Sequence, residues 1–364
     1  MAYRADDQRS VTLSGPTHIR GVTAVRPERL VQVMVRWQKK AVAAVAAVAL
    51  AAALAACSSS GGKQKEQSSS GSGSGVADTP RMKVALITHS GPGDTFWDIV
   101  RRGAEAAAKK DNIDLQYSAD PDGAAQANLV QTAIDSKVDG IAVTLNKPDA
   151  VIPNVKKAIA AGIPVTVLNG GLDQWKSSGA IGYFGQDERI AGQATGEKLK
   201  ELGAKKVLCV IHEQGNVSLE ARCQGIKDKF GNVENVNVNG TDQPGTQATL
   251  TSKLQQDKAV DYVVALNAGI ALTAVQAAKD AGSSAKIGSF DMSKEMAKAI
   301  QDGSVQFAVD QQPYLQGYLA VDALWLYKNN GDTIGGGQAT LTGPAFIDKA
   351  NIAAVLKYAE AGTR

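Results

Sequence analysis

From Lys83 onward, short β-branched runs alternate with Ala- and Lys-rich segments whose apolar residues recur at helical spacing. KVALIT (83–88), IDLQYS (113–118), GIAVTL (140–145) and IPVTVLN (163–169) have the length and composition of strands. Between them, FWDIVRRGAEAAAKK (96–110), AAQANLVQTAIDSK (124–137) and a stretch around 149–161 carry the helical period. The pattern then repeats, with strands at KVLCVI (206–211), VENVNV (233–238), YVVALN (262–267), AKIGSF (285–290) and VQFAVD (305–310). Its helices are VSLEARCQGIKDKF (217–230), TQATLTSKLQQD (246–257) and stretches around 270–281 and 293–302. Such alternation predicts parallel sheets with helices on both faces. Two series, separated around Gly182–Asp187, predict an α/β protein of two similar doubly wound lobes.

Upstream of this body the pattern changes. Arg36, Lys39 and Lys40 precede an unbroken apolar run from Ala41 to Ala56. Sixteen residues, mostly alanine, fall short of the ~20 that span a bilayer core. A basic patch, a short apolar run and small residues predict a secretory signal peptide over 34–56. The run ends at Leu54-Ala55-Ala56-Cys57, which resembles a bacterial lipobox with Cys57 as the lipidated first mature residue. A short membrane anchor that happens to contain a cysteine is the alternative. Met34 lies just before the basic patch, so translation is expected to start there, making 1–33 a mis-called upstream extension. Residues 57–79 are Ser/Gly-rich and read as a flexible tether. The body is then expected to be exported and held on the outer face of the cytoplasmic membrane.

Charge sharpens this picture. The chain has a formal net charge of +3, but residues 1–56 alone carry +5 and the remainder −2. Nucleic-acid binding by the body is therefore disfavoured, since it needs a basic footprint to displace counterions. Aromatics at 5% also argue against a stacking platform for single strands. Three cysteines and three widely spaced histidines form no zinc pattern, so no metal or cofactor is expected. There is no GxxxxGK[ST], no helix-opening GxGxxG and no GxSxG elbow.

Ligands of open parallel sheets sit beyond the carboxyl ends of the strands. Those ends supply Thr88, His89 and Ser90, with Asp94, Phe96 and Trp97 opening the next helix. They also supply Leu145, Asn146, Asn169, Gly170 and Gly171 in the first series. The second series adds His212, Glu213, Asp242, Gln243, Asn267, Asp291, Asp310 and Gln311. Amides and carboxylates that make paired hydrogen bonds, beside aromatic faces that cover C–H surface, suit a hydroxyl-rich ligand.

The element order, with SFD (289–291), ALN (265–267) and DQQPYLQG (310–317), resembles the ribose-binding-protein group of bacterial solute-binding proteins over nearly all of 82–350. The resemblance implies a type I periplasmic binding protein. It implies lobes of 80–185 plus 312–341 and of 186–311 plus 342–364, joined by three hinge segments near Gly185, Gln312 and Thr342. Phe96 and Trp97 match the aromatic pair that sandwiches a sugar ring, with Asp94 beside them. Arg222 matches an arginine that reaches a sugar hydroxyl, and Asn267, Asp291 and Gln311 match second-lobe polar contacts. Gln243 falls near a position where an aromatic is common. Family sugar binders often end the fourth strand in Asp-Arg, whereas this chain has Asn169-Gly170. That departure leaves room for a bulkier ring or an open-chain polyol.

The resemblance implies a monomeric receptor that captures a sugar or polyol and delivers it to ABC permease subunits, with no catalysis. A sensory receptor serving a membrane kinase is the alternative. A transcription repressor with this core would need a helix-turn-helix where this chain has a leader and tether. Each site residue also has a plainer reading: Asp94, Asn267 and Asp291 as helix caps, Phe96 and Trp97 as packing, Arg222 as an ion pair. Cys209 and Cys223 fall on a strand and the following helix, near enough for a bridge, with two buried free thiols as the other possibility.

Overall fold

The computed structural model describes residues 75–364. The expected upstream extension, signal peptide, Cys57 and most of the tether lie outside the described residues. The last residues assigned to the tether do not behave as one. Ala77 N–H donates to Lys110 O at 2.7 Å, and Thr79 accepts from Asn112 Nδ2 at 2.8 Å and from Trp325 Nε1 at 3.1 Å. Body contacts begin before Pro80 because these backbone and hydroxyl groups find fixed partners.

The chain runs β1 (Met82–Thr88), α1 (Thr95–Lys110), β2 (Ile113–Ala119), α2 (Gly123–Asp135), β3 (Gly140–Val143), α3 (Pro148–Ala160), β4 (Val165–Asn169), the short α4 (Trp175–Ser178) and β5 (Gly182–Gly185). The stretch expected to separate the two series thus contains a strand of its own. The second lobe follows with α5 (Glu188–Glu201), β6 (Val207–Ile211), α6 (Val217–Phe230), β7 (Val233–Asn237), α7 (Gln243–Gln256), β8 (Tyr262–Ala265), α8 (Ala268–Asp280), β9 (Lys286–Phe290), α9 (Lys294–Asp302) and β10 (Phe307–Asp310). Then α10 (Pro313–Asn330) and β11 (Thr340–Leu341) return to the first lobe, and β12 (Ala345–Asp348) and α11 (Ile352–Glu360) to the second.

Each lobe is built on a six-stranded sheet, ordered β11-β5-β4-β3-β1-β2 and β12-β10-β9-β8-β6-β7. All pairings are parallel except β10 with β12. The central strands are buried on both faces, so their runs are continuously apolar rather than alternating. Apolar clusters cover the two faces of each sheet. The expected two-lobed doubly wound architecture is the one observed.

Glycines set the closest helix contacts in both lobes. A Cβ at Gly103 would run into Tyr314 O, and one at Gly317 into Val100 O, so α1 and α10 touch backbone to backbone. Gly192 and Gly225 do the same for α5 and α6, against Arg222 O and Arg189 O. The second crossing has a consequence for the cleft, because it brings Glu188 on α5 to Arg222 on α6.

The chain passes between lobes three times, at 185–188, 310–313 and 341–345. These passages are bonded side by side. Thr342 N–H donates to Gly185 O at 2.7 Å, Gln312 Nε2 to Thr342 O at 2.7 Å, and Gln316 Nε2 to Thr342 Oγ1 at 3.1 Å.

Candidate functional site

The carboxyl ends of both sheets face each other across a cavity of about 780 Å3. Asp94, Phe96, Trp97, Asn169, Arg222, Gln243, Asn267, Asp291 and Gln311 all line it. Helix starts and strand ends place all of them except Arg222, which projects from inside α6, and so they converge from distant parts of the chain.

Asp94 caps α1: its Oδ1 accepts from Phe96 N–H at 3.1 Å and, across the cleft, from Asn267 Nδ2 at 3.2 Å. Burial raises the Asp94 pKa above the usual carboxylate range, against the pull of those two bonds. Asn267 in turn caps α8, its Oδ1 accepting from Gly269 N–H at 2.7 Å. The cap reading and the cleft placement therefore hold together for both residues.

Phe96 and Trp97 are buried in the α1 core cluster, and their rings meet edge to face, centroids 5.0 Å apart and planes 83° apart. Trp97 also meets the edge of His89, at 4.7 Å. A sandwich needs two parallel faces, so the expected pairing of Phe96 and Trp97 around one ring is corrected.

Arg222 is neither at the surface nor free. Its Nε and Nη2 donate to Glu188 Oε2 and Oε1 at 2.6 and 3.0 Å, its Nη1 donates to Leu266 O at 3.1 Å, and the guanidinium lies over Phe290. The two side chains are only 3% and 6% exposed, which makes this a buried bidentate ion pair in the cavity wall. Burial opposes the charge, but Glu188, with Asp291 and Tyr183 adding to it, holds the arginine pKa above its ordinary value. Three of the five guanidinium N–H groups are engaged in these bonds.

Asn169 adopts the left-handed region at φ 63°, which asparagine tolerates better than most residues. Its Nδ2 donates toward Gln311 Oε1 at 3.2 Å and Gln316 Oε1 at 3.3 Å, tying the end of β4 to the hinge. Asp291 is also left-handed, at φ 67°, and accepts from Gln311 Nε2 at 2.7 Å. Burial pushes its pKa up to about 7, with Arg222 and the Gln311 bond pulling the other way. Gln243 sits exposed at the rim, donating to Gly240 O at 3.2 Å and accepting from Thr273 Oγ1 at 2.5 Å. Its polar groups are engaged within its own lobe.

Some residues in or just behind the cavity wall carried no signal that set them apart. Glu188 looks like an ordinary acidic residue in a first helical turn, and only the α5–α6 crossing reveals its partner. Asn216 and Ser218 precede and open α6, a pattern that reads simply as a cap. Lys147 Nζ reaches Glu213 Oε1 across the cleft at 3.3 Å. His89 and His212 are driven down to about 4 by burial, only partly offset by Glu213, so both are neutral at pH 7. Cys209 and Cys223 are joined in a disulfide that links β6 to α6, with Cα atoms 5.9 Å apart.

Among the described residues, no group of three or more His, Cys, Asp or Glu is placed to hold a metal. Nor is any helix there long and apolar enough to cross a membrane.

Two doubly wound lobes around a polar cleft, bridged by three chain passages, define a binding protein that closes on a small solute. The model for the periplasmic binding protein domain matches residues 84–332, and the chain belongs to that family. It is a solute carrier, not an enzyme. It is 26% identical over 298 residues to the xylose/arabinose-binding protein of Sulfolobus acidocaldarius, covering 76% of this chain and 73% of that one. It is 26% identical over 253 residues to the D-ribose/D-allose-binding protein of Pseudomonas aeruginosa, covering 65% and 79%. A crystal structure of a carbohydrate transporter from Acidothermus cellulolyticus, in complex with myo-inositol, is 56% identical with a TM-score of 0.78. That match covers 78% of this chain and all of that one.

Proposed function

We propose that this chain captures a ring-shaped polyol of the inositol class and delivers it to an ABC-type importer. The observation that carries the reading is its 56% identity to the Acidothermus protein crystallised with myo-inositol. The cavity chemistry supports it. Asp94, Asn267, Asp291 and Gln311 offer paired donors and acceptors to ring hydroxyls, and Phe96 and Trp97 supply aromatic surface for the C–H side. Asn169-Gly170 places no fixed charge at the end of β4, which suits a ligand whose hydroxyls are all neutral and similar.

The lobes 80–185 plus 312–341 and 186–311 plus 342–364 would swing about the three bonded passages. Ligand favours the closed form through its extra contacts there. The receptor acts as a monomer, exported by the 34–56 signal and anchored through lipid on Cys57. Relatives named as import and transport proteins favour the importer over the sensory alternative.

A thermal-shift series with myo-inositol, other inositols, ribose and xylose tests this. A ligand at 100 times its Kd stabilises the folded state by about 2.7 kcal/mol. Inositols are expected to raise the Tm most, and Asn267→Ala to weaken their binding by about 1–3 kcal/mol. A response to pentoses alone would overturn the ligand class.

A further inference from the structure

We propose that Asn146, which follows β3, contacts the ligand and latches the lobes with the same carboxamide. The inference rests on the polyol reading for its ligand but not for its latch.

The argument starts from a helix cap. Asn216 caps α6, so its Oδ1 must face the free N–H groups of the first turn, and it accepts from Ser218 N–H at 3.0 Å and Leu219 N–H at 3.4 Å. That fixes which end of the Asn216 amide is oxygen. The opposite face of this oxygen meets Asn146, whose Nδ2 must therefore be the atom that approaches, at 3.0 Å. The second Nδ2 hydrogen goes to Ser218 Oγ at 3.1 Å. Backbone adds a third link, from Val217 N–H to Asn146 O at 3.1 Å. Asn146 belongs to the first lobe and 216–218 to the second, so all three bonds exist only when the lobes are together.

With both amide hydrogens spent across the cleft, Oδ1 is left without a protein partner although Asn146 is only 1% exposed. An orphaned buried acceptor is destabilising unless something supplies a donor. Asn146 lines the cavity while its Oδ1 is itself closed to solvent, so the donor it lacks is a ligand hydroxyl that seats against the carboxamide as the cleft fills. An amide oxygen accepts from O–H and repels anionic oxygen, so this position selects neutral polyols over phosphorylated or carboxylated ones. The space it needs is provided by Gly170, where any Cβ would collide with the Asn146 carboxamide. Gly170 does not have a positive φ, so alanine there strains no backbone. The missing side chain at 170 makes room for Asn146.

The test pairs variants with ligands on the full chain. Asn146→Ala and Gly170→Ala are each expected to weaken myo-inositol binding roughly tenfold or more, the second by displacing the amide without removing it. Among monodeoxy-inositols, one should lose affinity for the wild type and lose nothing further for Asn146→Ala, because the hydroxyl and the amide are one interaction. Ser218→Ala leaves Oδ1 in place and should shift the ligand-free radius of gyration toward the open form, as should Asn146→Ala, and it should lower affinity for every inositol by one common factor, because it weakens the closed state and no single hydroxyl contact. Full affinity in both Asn146→Ala and Gly170→Ala, or additive losses with every deoxy compound, would overturn the ligand contact. An unchanged ligand-free radius in Asn146→Ala would overturn the latch. If the wild type ignores myo-inositol, the ligand class and the contact built on it fall together, while the scattering comparison still decides the latch.

Discussion

The two lobes share one strand order, apart from the direction of the edge strands β11 and β12, yet line the cleft with different chemistry. The first contributes side chains that are also part of its apolar core, Phe96 and Trp97 above all, with asparagines at its strand ends. Both lobes bring ionisable groups, Asp94 and Lys147 from the first and Glu213, Asp291 and Arg222 from the second, but only the second holds a buried ion pair, Arg222 backed by Glu188. Each lobe brings two helices together through paired glycines, but only the second adds a disulfide at that point. The difference teaches where rigidity is needed. An aromatic wall is held by packing alone, whereas a desolvated arginine must be held against its counter-ion within a few tenths of an ångström. The glycine crossing and the Cys209–Cys223 link both act on α6, the helix that carries Arg222.

The largest break in this comparison comes from removing the counter-ion. Glu188→Ala leaves a guanidinium buried and unpaired, and is expected to destabilise the protein by about 3–5 kcal/mol in denaturant unfolding. Loss of less than a kcal/mol would mean that water or the lobe interface already compensates Arg222. Opening the disulfide should affect the second lobe alone. It closes a loop with a sequence separation of 14, for which chain-entropy arguments give about 3 kcal/mol. Hydrogen exchange in reductant should rise in α6 and β6 while α1 and β1 keep their protection.

The glycine crossings then ask whether the scaffolds are equivalent. Gly103→Ala and Gly192→Ala each force two backbones apart and should each lower stability by about 1–3 kcal/mol. A large effect in one lobe and none in the other would show that the shared strand order hides unequal packing.

The subtlest contrast is in pH. Asp291, raised to about 7, binds its proton more readily folded than unfolded, so its contribution to stability falls as pH rises from about 4 to 7. His89 and His212, lowered to about 4, do the opposite: between 6.5 and 4 the unfolded chain takes up protons first, and stability falls as pH drops. In the ligand-free wild type these slopes partly cancel. Asp291→Asn removes one opposing slope and leaves that of Asp94, whose pKa is also raised by burial. It should melt higher than wild type at pH 7.5 and lose Tm more steeply on acidification from 6.5 to 4. Parallel melting profiles for the two proteins would overturn this assignment.

Strand–helix alternation, the two-lobed class and the strand-end residues of the cleft were all legible in the chain itself. Each rests on local physics: β-branched runs, helical periodicity, cap residues, and the rule that such sheets bind at their carboxyl ends. Asn169 was legible as a strand-end amide near the cleft, and Arg222 only through the family resemblance. Their roles were not, because a guanidinium points where its partners are, and Glu188 and Gln316 come from other helices. The edge-to-face setting of Phe96 and Trp97 was equally hidden, since adjacent residues in a helix leave no sign of how their rings turn.

The sequence alone thus determined which elements form and which residues crowd the mouth of each sheet, since both follow from short-range pattern. Only the tertiary structure decided the pairings across α5 and α6, across the hinge and across the cleft. Those depend on distances between segments tens of residues apart, and on glycines whose meaning appears only when another backbone lies against them. Asn146 belongs to both accounts: a strand-end amide in the sequence, and a bond between lobes once α6 is capped and in place.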